Sequence, residues 1–430
     1  MKKLLPLFLA VFLSACLPSG VQVPQSPLLS LLERKIGMIA YIGIDGNVYA
    51  TDQSVTKTSQ LTKDATPPEK KTAPLVGYQI PTWSQDSNHL AFIRMEQTDT
   101  QLSSKLFIAN MEEETVKAVY ASNSEHPFYL YWSPDDSNLS FLSSTSMGEA
   151  MMLQSISAEG GERRVLDSGS PFYWSWAPDG KTMLIHRGVA NSIPSNNLSF
   201  LHVDSEISEY GLEDSPAAFQ APAWSPNGEF ILLAETTAEG QEIILADSSG
   251  ANQKSIASFE VSTAFAWSFD SKRFAYISSA QELNPGSIGS LHVYDLASSE
   301  ETVMGESVIG FFWSPNGRKL AYFVPFVSEP DPATNDTDST TLFFQLNMLD
   351  VATGGTKELF TFRPTDQFVS IIPYFDQYHQ STTIWSPDSN NLVLSYIDTD
   401  GNPGIATVAA SGNLEPRPIA EGYLAFWSWK

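Results

Sequence analysis

One tryptophan-bearing turn recurs along this 430-residue chain and constrains its fold more than any other feature. Seven copies stand in the sequence: Trp83-Ser84-Gln85-Asp86-Ser87, Trp132-Ser133-Pro134-Asp135-Asp136, Trp176-Ala177-Pro178-Asp179-Gly180, Trp224-Ser225-Pro226-Asn227-Gly228, Trp267-Ser268-Phe269-Asp270-Ser271, Trp313-Ser314-Pro315-Asn316-Gly317 and Trp385-Ser386-Pro387-Asp388-Ser389. Pro presets the second position of a type I turn, Asp or Asn tolerates the third, and Gly suits the fourth, so each copy predicts a hairpin. Apolar or alternating runs follow the turns, as at residues 90–93 and 320–323, and have the pattern of buried strands. A further strand then ends in Asp or Asn (106–110, 243–247, 291–295), and a polar turn leads to a last one (115–120, 356–360).

The tryptophans lie 42 to 49 residues apart, with one interval of 72 between Trp313 and Trp385. Four short antiparallel strands at that period are the signature of propeller blades. A sandwich or an up-and-down barrel leaves the period of the tryptophan unexplained. The two ends complement each other: residues 38–42, 47–52 and 58–62 read as three strands of a unit without its Trp strand, and residues 423–427 supply that strand, with Trp427 and Ser428 in register. Pairing them closes a ring and hides the edges of a linear array. The expectation is an all-β chain, an eight-bladed β-propeller over residues 36–430, with seven blades as the alternative. Trp83, Trp132, Trp176, Trp224, Trp267, Trp313, Trp385 and Trp427 are expected to pack between blades rather than to touch a ligand.

The seven turn motifs and their strands resemble the WD40-like, TolB-type propeller repeat, and the resemblance covers residues 36–430. Similar repeats form the non-catalytic propellers of dipeptidyl-peptidase IV and prolyl oligopeptidase relatives. The resemblance implies a fold and no particular activity. Gln85, Ala177, Phe269 and several non-glycine fourth positions depart from the pattern.

The N-terminus addresses the chain. Lys2 and Lys3 precede an apolar run through Ala15, a secretory signal over residues 1–15 that is too short to span a bilayer. Leu13-Ser14-Ala15-Cys16 resembles a lipobox, which implies acylation of Cys16, the only cysteine, and excludes disulfides and cysteine metal sites. Residues 16–35, rich in Pro, Ser and Leu, suit a tether between membrane lipid and domain, with a helical turn possible at 28–33. The chain is thus expected to be exported and lipid-anchored on the extracytoplasmic face of the cell membrane or outer membrane. Its formal charge is −25, two units more negative without Lys2 and Lys3, which makes nucleic acid an unfavourable partner.

The two rims of the ring differ. Trp turns hold to about four residues, whereas connections on the other rim expand at 95–104, 187–197 and 279–289, and function concentrates where loops grow. The long sixth repeat adds an acidic, Pro-rich stretch (325–340, with Glu329, Asp331, Asp336 and Asp338) and an aromatic one (362–381). The latter either packs across the rim as a plug or offers anchors to a partner; Arg363, Tyr374, Phe375 and Tyr378 are the candidate binding residues.

Catalytic signals are sparse. The sequence has no nucleophile elbow and no zinc-helix motif, and its histidines (89, 126, 186, 202, 292 and 379) are scattered. The Asp45-Gly46-Asn47 and Asp400-Gly401-Asn402 turns read as hairpins, since neither completes a calcium loop. No cofactor or metal is expected. The favoured function is a binding scaffold for a protein, peptide or glycan; the alternative is a hydrolase or lyase with carboxylates or a metal at the channel mouth.

Overall fold

The computed structural model describes residues 36–430 apart from 68–69, 71, 146–149, 189–195, 213–214, 218–219, 281–286 and 329–339. The signal and tether segments, the Cys16 lipidation site and the four acidic residues at 329–338 lie outside the described residues.

The chain is built of antiparallel sheets. Five have four strands each, ordered by sequence, and a ten-stranded ladder joins the chain's end to its beginning. In the Trp132 sheet, for example, Glu125–Trp132, Asn138–Thr145, Met151–Ser157 and Arg164–Gly169 lie side by side. Seven of the eight repeat tryptophans sit at the end of a strand, the exception being Trp385, which makes an isolated bridge to Leu392; six of the largest fully buried side chains are tryptophans, five of them from the repeat. The expected joining of the ends is present. The last strand, Arg417–Trp427, pairs through its first half with Pro403–Ala409 and through its second half with Ile39–Gly43, Trp427 opposite Ile39.

The indoles order the sheets in a circle. Trp132 Nε1 donates to the carbonyl of Thr82 (3.0 Å), Trp267 to Ala223 (3.1 Å), Trp313 to Ala266 (3.1 Å) and Trp385 to Phe312 (2.9 Å). Each acceptor is the residue before the tryptophan of the preceding unit. Trp83 obeys the same rule across the chain ends, donating to Phe426 at 3.4 Å, which only a closed ring allows. The ring is a β-propeller, with the Trp strands innermost.

The turns add a second set of staples. Their serine hydroxyls accept the amide five residues on, as from His89 to Ser84 (2.9 Å) and from Asn391 to Ser386 (2.9 Å), and donate to the Asp or Asn two residues on, as Ser133 does to Asp135 (2.6 Å). Ala177 has no hydroxyl, and there Asp179 accepts the Thr182 amide instead (2.9 Å). The fourth turn residue is left-handed throughout, at φ +57 to +67 in Ser271, Asp136, Ser389, Ser87, Gly317 and Gly180, so glycine is favoured but not required. Where it is not glycine, its side chain ties neighbouring turns: Asp136 accepts the amides of Gln85 and Asp86, Ser271 that of Asn227 (2.9 Å), Ser389 that of Asn316 (3.2 Å) and Ser87 that of Lys430 (2.9 Å). These departures reinforce the ring.

One expectation about the other rim needs correction. Residues 95–104 are mostly not loop, because the strands His89–Gln97 and Leu102–Asn110 stay paired as far as Gln97 opposite Leu102. Continued pairing satisfies backbone groups that an open loop would leave to water. Likewise, residues 325–327 extend a strand against 342–344.

Candidate functional site

The aromatic stretch of the sixth repeat enters the ring's axis. After the strand Gly355–Pro364, Thr365 caps helix α1 (Asp366–Ile371), accepting the Phe368 amide at 3.3 Å and donating to the Tyr423 carbonyl at 2.6 Å. A 3-10 turn, Ile372–Tyr374, leads into helix α2, Phe375–Ser381. Gly310 permits this approach, since a side chain there would meet Ile372 and Phe375 at 3.3 Å.

Helix α2 packs against four innermost strands, Glu125–Trp132, Phe172–Trp176, Ser262–Trp267 and Gly310–Trp313. Its polar side chains serve backbone groups of different sheets. Gln377 accepts the Trp174 amide (3.1 Å), donates to the Trp174 carbonyl (2.8 Å) and to the Tyr129 hydroxyl (3.0 Å), and that hydroxyl donates to the Gln377 carbonyl (2.9 Å). Asp376 accepts the Ala221 amide (2.9 Å), and Gln380 donates to the Pro222 carbonyl (3.2 Å). His379 Nε2 accepts the Trp313 amide (3.2 Å), which fixes a neutral ring with its proton on Nδ1. Phe269, which departs from the turn pattern, stacks on that ring at 5.0 Å.

Burial governs the charges here. Desolvation raises the Asp376 carboxyl to about 6 against the two amides it accepts, and lowers His379 to about 3. His186, fully buried beside the Gln220 carbonyl, is lowered by burial to about 4. Among the described residues no three His, Cys, Asp or Glu side chains converge as a metal site. Asp45 is occupied by Asn47 and Tyr49, and Asp398 by Asp400 and Asn402, as hairpin turns require.

The four candidate binding residues are not brought together on one surface. Phe375 and Tyr378 are buried in the axis, at 1 % and 9 % exposure, packed on Phe311 (4.5 Å) and Tyr129 (5.1 Å). They are plug residues, and a partner would find only Tyr374, half-buried, and Arg363, exposed on the strand before the plug. Sequence reasoning missed Asp376, Gln377 and Gln380, whose partners are remote in sequence.

The plug leaves a recess at each end. On the Trp-turn rim a mouth of about 360 Å³ is walled by Trp132, Trp176, Trp224 and Trp267 and floored by His379 and Gln380. Two of its walls break the indole pattern, for Trp176 Nε1 and Trp224 Nε1 have no hydrogen-bond partner among the described residues. On the opposite rim a cleft of about 260 Å³ lies between the Trp132 sheet, the Phe172–Trp176 strand and the plug. Among the described residues no helix is long and apolar enough to cross a membrane.

No protein family and no curated protein matches the chain by sequence. Solved structures do match by fold. The dihydro-heme d1 dehydrogenase NirN is 14% identical, with a TM-score of 0.53, over 96% of this chain and 78% of that one. A prolyl endopeptidase is 11% identical, with a TM-score of 0.53, over 80% of this chain and 49% of its own length. TolB from Acinetobacter baumannii is 14% identical, with a TM-score of 0.35, over 81% of this chain and 86% of that one. At these identities the likeness concerns fold alone. TolB proteins are among the solved structures that match the chain.

Proposed function

We propose that the chain is an eight-bladed, lipid-tethered propeller that works outside the cytoplasm as a binding scaffold for a protein, peptide or glycan, with the plug rim as its recognition face. The count of eight divides the ten-stranded ladder into three blades, one of which borrows Gly422–Trp427 from the last strand; eight repeat tryptophans support it.

The observation that carries the reading is the filled axis. Helix α2 engages the inner strands of four sheets, and its one carboxylate is held by two backbone amides. Among the described residues the filled axis holds no cluster of convergent acids, which supports assigning recognition to the rims. Chain entry distinguishes them. The Met38 amide donates to Ser428 Oγ (2.8 Å) and the Ser428 amide to the Met38 carbonyl (2.7 Å), so residue 36 emerges on the Trp-turn rim. With Cys16 acylated, the Trp-turn rim is held toward the membrane and the plug rim, carrying Tyr374 and Arg363, faces away.

The test places a photo-crosslinking residue at position 374 and, separately, at position 178 in living cells, beside a Cys16→Ser strain. Discrete protein or glycan adducts are expected from position 374, lipid adducts from 178, and loss of the Cys16→Ser protein from the membrane fraction. One adduct set shared by both positions overturns the recognition face. Membrane retention of the Cys16→Ser protein overturns the anchor.

A further inference from the structure

The cleft on the plug rim has an unusual lining. Phe128, Tyr129, Phe172, Tyr173, Tyr374 and Tyr378 contribute six aromatic rings, and among the described residues no Lys, Arg or His lines it. Its walls come from two neighbouring sheets and from the plug, so the rings converge from three directions. Phe128 remains 36 % exposed at the edge, while Phe172 and Tyr129, at 1 % and 3 %, form the base.

The polar atoms of the cleft are unevenly served. The Gln377 amide is fully used by Trp174 and Tyr129. The hydroxyls of Tyr374 and Tyr378 make no hydrogen bond among the described residues, and neither is a fully buried, unpaired atom, so both oxygens reach the cleft. A neutral hydrocarbon seated here would bury those oxygens without compensation.

The electrostatics favour a cation. Aromatic faces carry negative potential and attract ammonium groups within about 6 Å of the ring centre, more strongly where water is excluded. Burial first, and then the charge of the Asp376 carboxyl, push the Tyr173 phenol up. The chain's formal charge of −25 adds a long-range field of the same sign.

We propose that this cleft is an aromatic cage for a methylated ammonium group, a small quaternary amine of the choline class, held by ring faces and by the unpartnered phenol oxygens. The proposal goes beyond the scaffold reading and does not depend on it, since the cleft is formed by the propeller and its plug whether or not Cys16 is acylated.

The test titrates the full chain, in a non-ionic maltoside detergent at fixed ionic strength, with choline chloride and with its neutral isostere 3,3-dimethylbutan-1-ol, followed by calorimetry. Saturable choline binding at least tenfold tighter than that of the isostere is expected. Tyr374→Leu and Phe128→Leu, both at the accessible edge, are expected to weaken choline at least fivefold each and to leave the isostere unchanged. Pro178→Ala, on the opposite rim, should leave both ligands unchanged. Circular dichroism and the thermal midpoint verify folding of each variant. Equal affinity for the two ligands, absence of choline binding by the folded wild type, or unaltered choline affinity in both edge variants overturns the cage. Any of these outcomes leaves the crosslinking test of the scaffold to stand separately.

Discussion

The Trp-turn rim and the plug are held by opposite kinds of design. On the rim, the same few bonds recur from unit to unit: indole to the preceding unit's carbonyl, serine to the amide five residues on, fourth-position side chain to the neighbouring turn. In the axis each bond is made once, by a different side chain of helix α2 to a different sheet. The rim is redundant, so losing one copy costs that copy. The plug is a hub, and one side chain there supports several buried groups.

The largest effect expected is on the rim, from truncation rather than from polarity. Trp385→Ala removes a fully buried indole and its bond to Phe312, and should cost about 3–5 kcal/mol in urea unfolding. Gln377→Ala should approach that figure despite its smaller volume, at about 2–4 kcal/mol, because it strands the Trp174 amide and carbonyl and removes the bond that the Tyr129 hydroxyl accepts, leaving only the one it donates to the residue 377 carbonyl. A loss below about 1 kcal/mol for Gln377→Ala would remove the distinction between hub and repeat.

Acid sharpens the comparison. In the folded chain His379 lies at about 3, below its ordinary 6.5, so the unfolded state binds the additional proton and stability falls as pH drops through that window. Asp376 lies at about 6, above its ordinary 3.8, so the folded state binds the additional proton and stability rises as pH drops from 6 to 3.8. Each slope is about 1.4 kcal/mol per pH unit, and they offset one another between about pH 6 and 4. Relative to wild type, Asp376→Asn should therefore lose stability progressively from pH 6 to 4, and His379→Gln should gain it, by about 2 kcal/mol each over that range. Urea midpoints at pH 6.5, 5 and 4 measure this, and parallel curves for all three proteins would contradict it.

Finer effects belong to the indole bonds. Trp132→Phe, which removes a donor with a partner, should cost about 1 kcal/mol more than Trp176→Phe, whose indole nitrogen has none among the described residues. The smallest change expected is Ser271→Gly. It forfeits the bond from the Asn227 amide but relaxes a left-handed residue at φ +57, so the net shift should stay within about 0.5 kcal/mol.

Much of the ring was readable without coordinates because its causes are local. The Trp-Ser-Pro-Asp-Gly pattern encodes a turn within five residues, and the strands beside it follow from alternation over a few more. The complementary ends were readable too, since a unit lacking one strand and a strand lacking its unit stood at opposite termini. Residues 95–104 were misjudged because charged and polar residues such as Arg94, Glu96 and Gln97 alternate in an extended hairpin much as they do in a loop. For residues 362–381 the composition announced buried aromatic surface but left its destination open.

The sequence by itself determined a circular array of tryptophan-led units, their strand order and the pairing of the two ends, because turn chemistry and strand periodicity act between near neighbours and then repeat. Only the tertiary structure decided that the axis is filled, and by which side chains. Asp376, Gln377 and His379 find these partners 66 to 248 residues away, on inner strands and a connection whose closeness exists only once the ring has closed. A short helix with polar residues on several faces carries no local mark of being buried; the backbone groups that satisfy it are supplied by the other sheets.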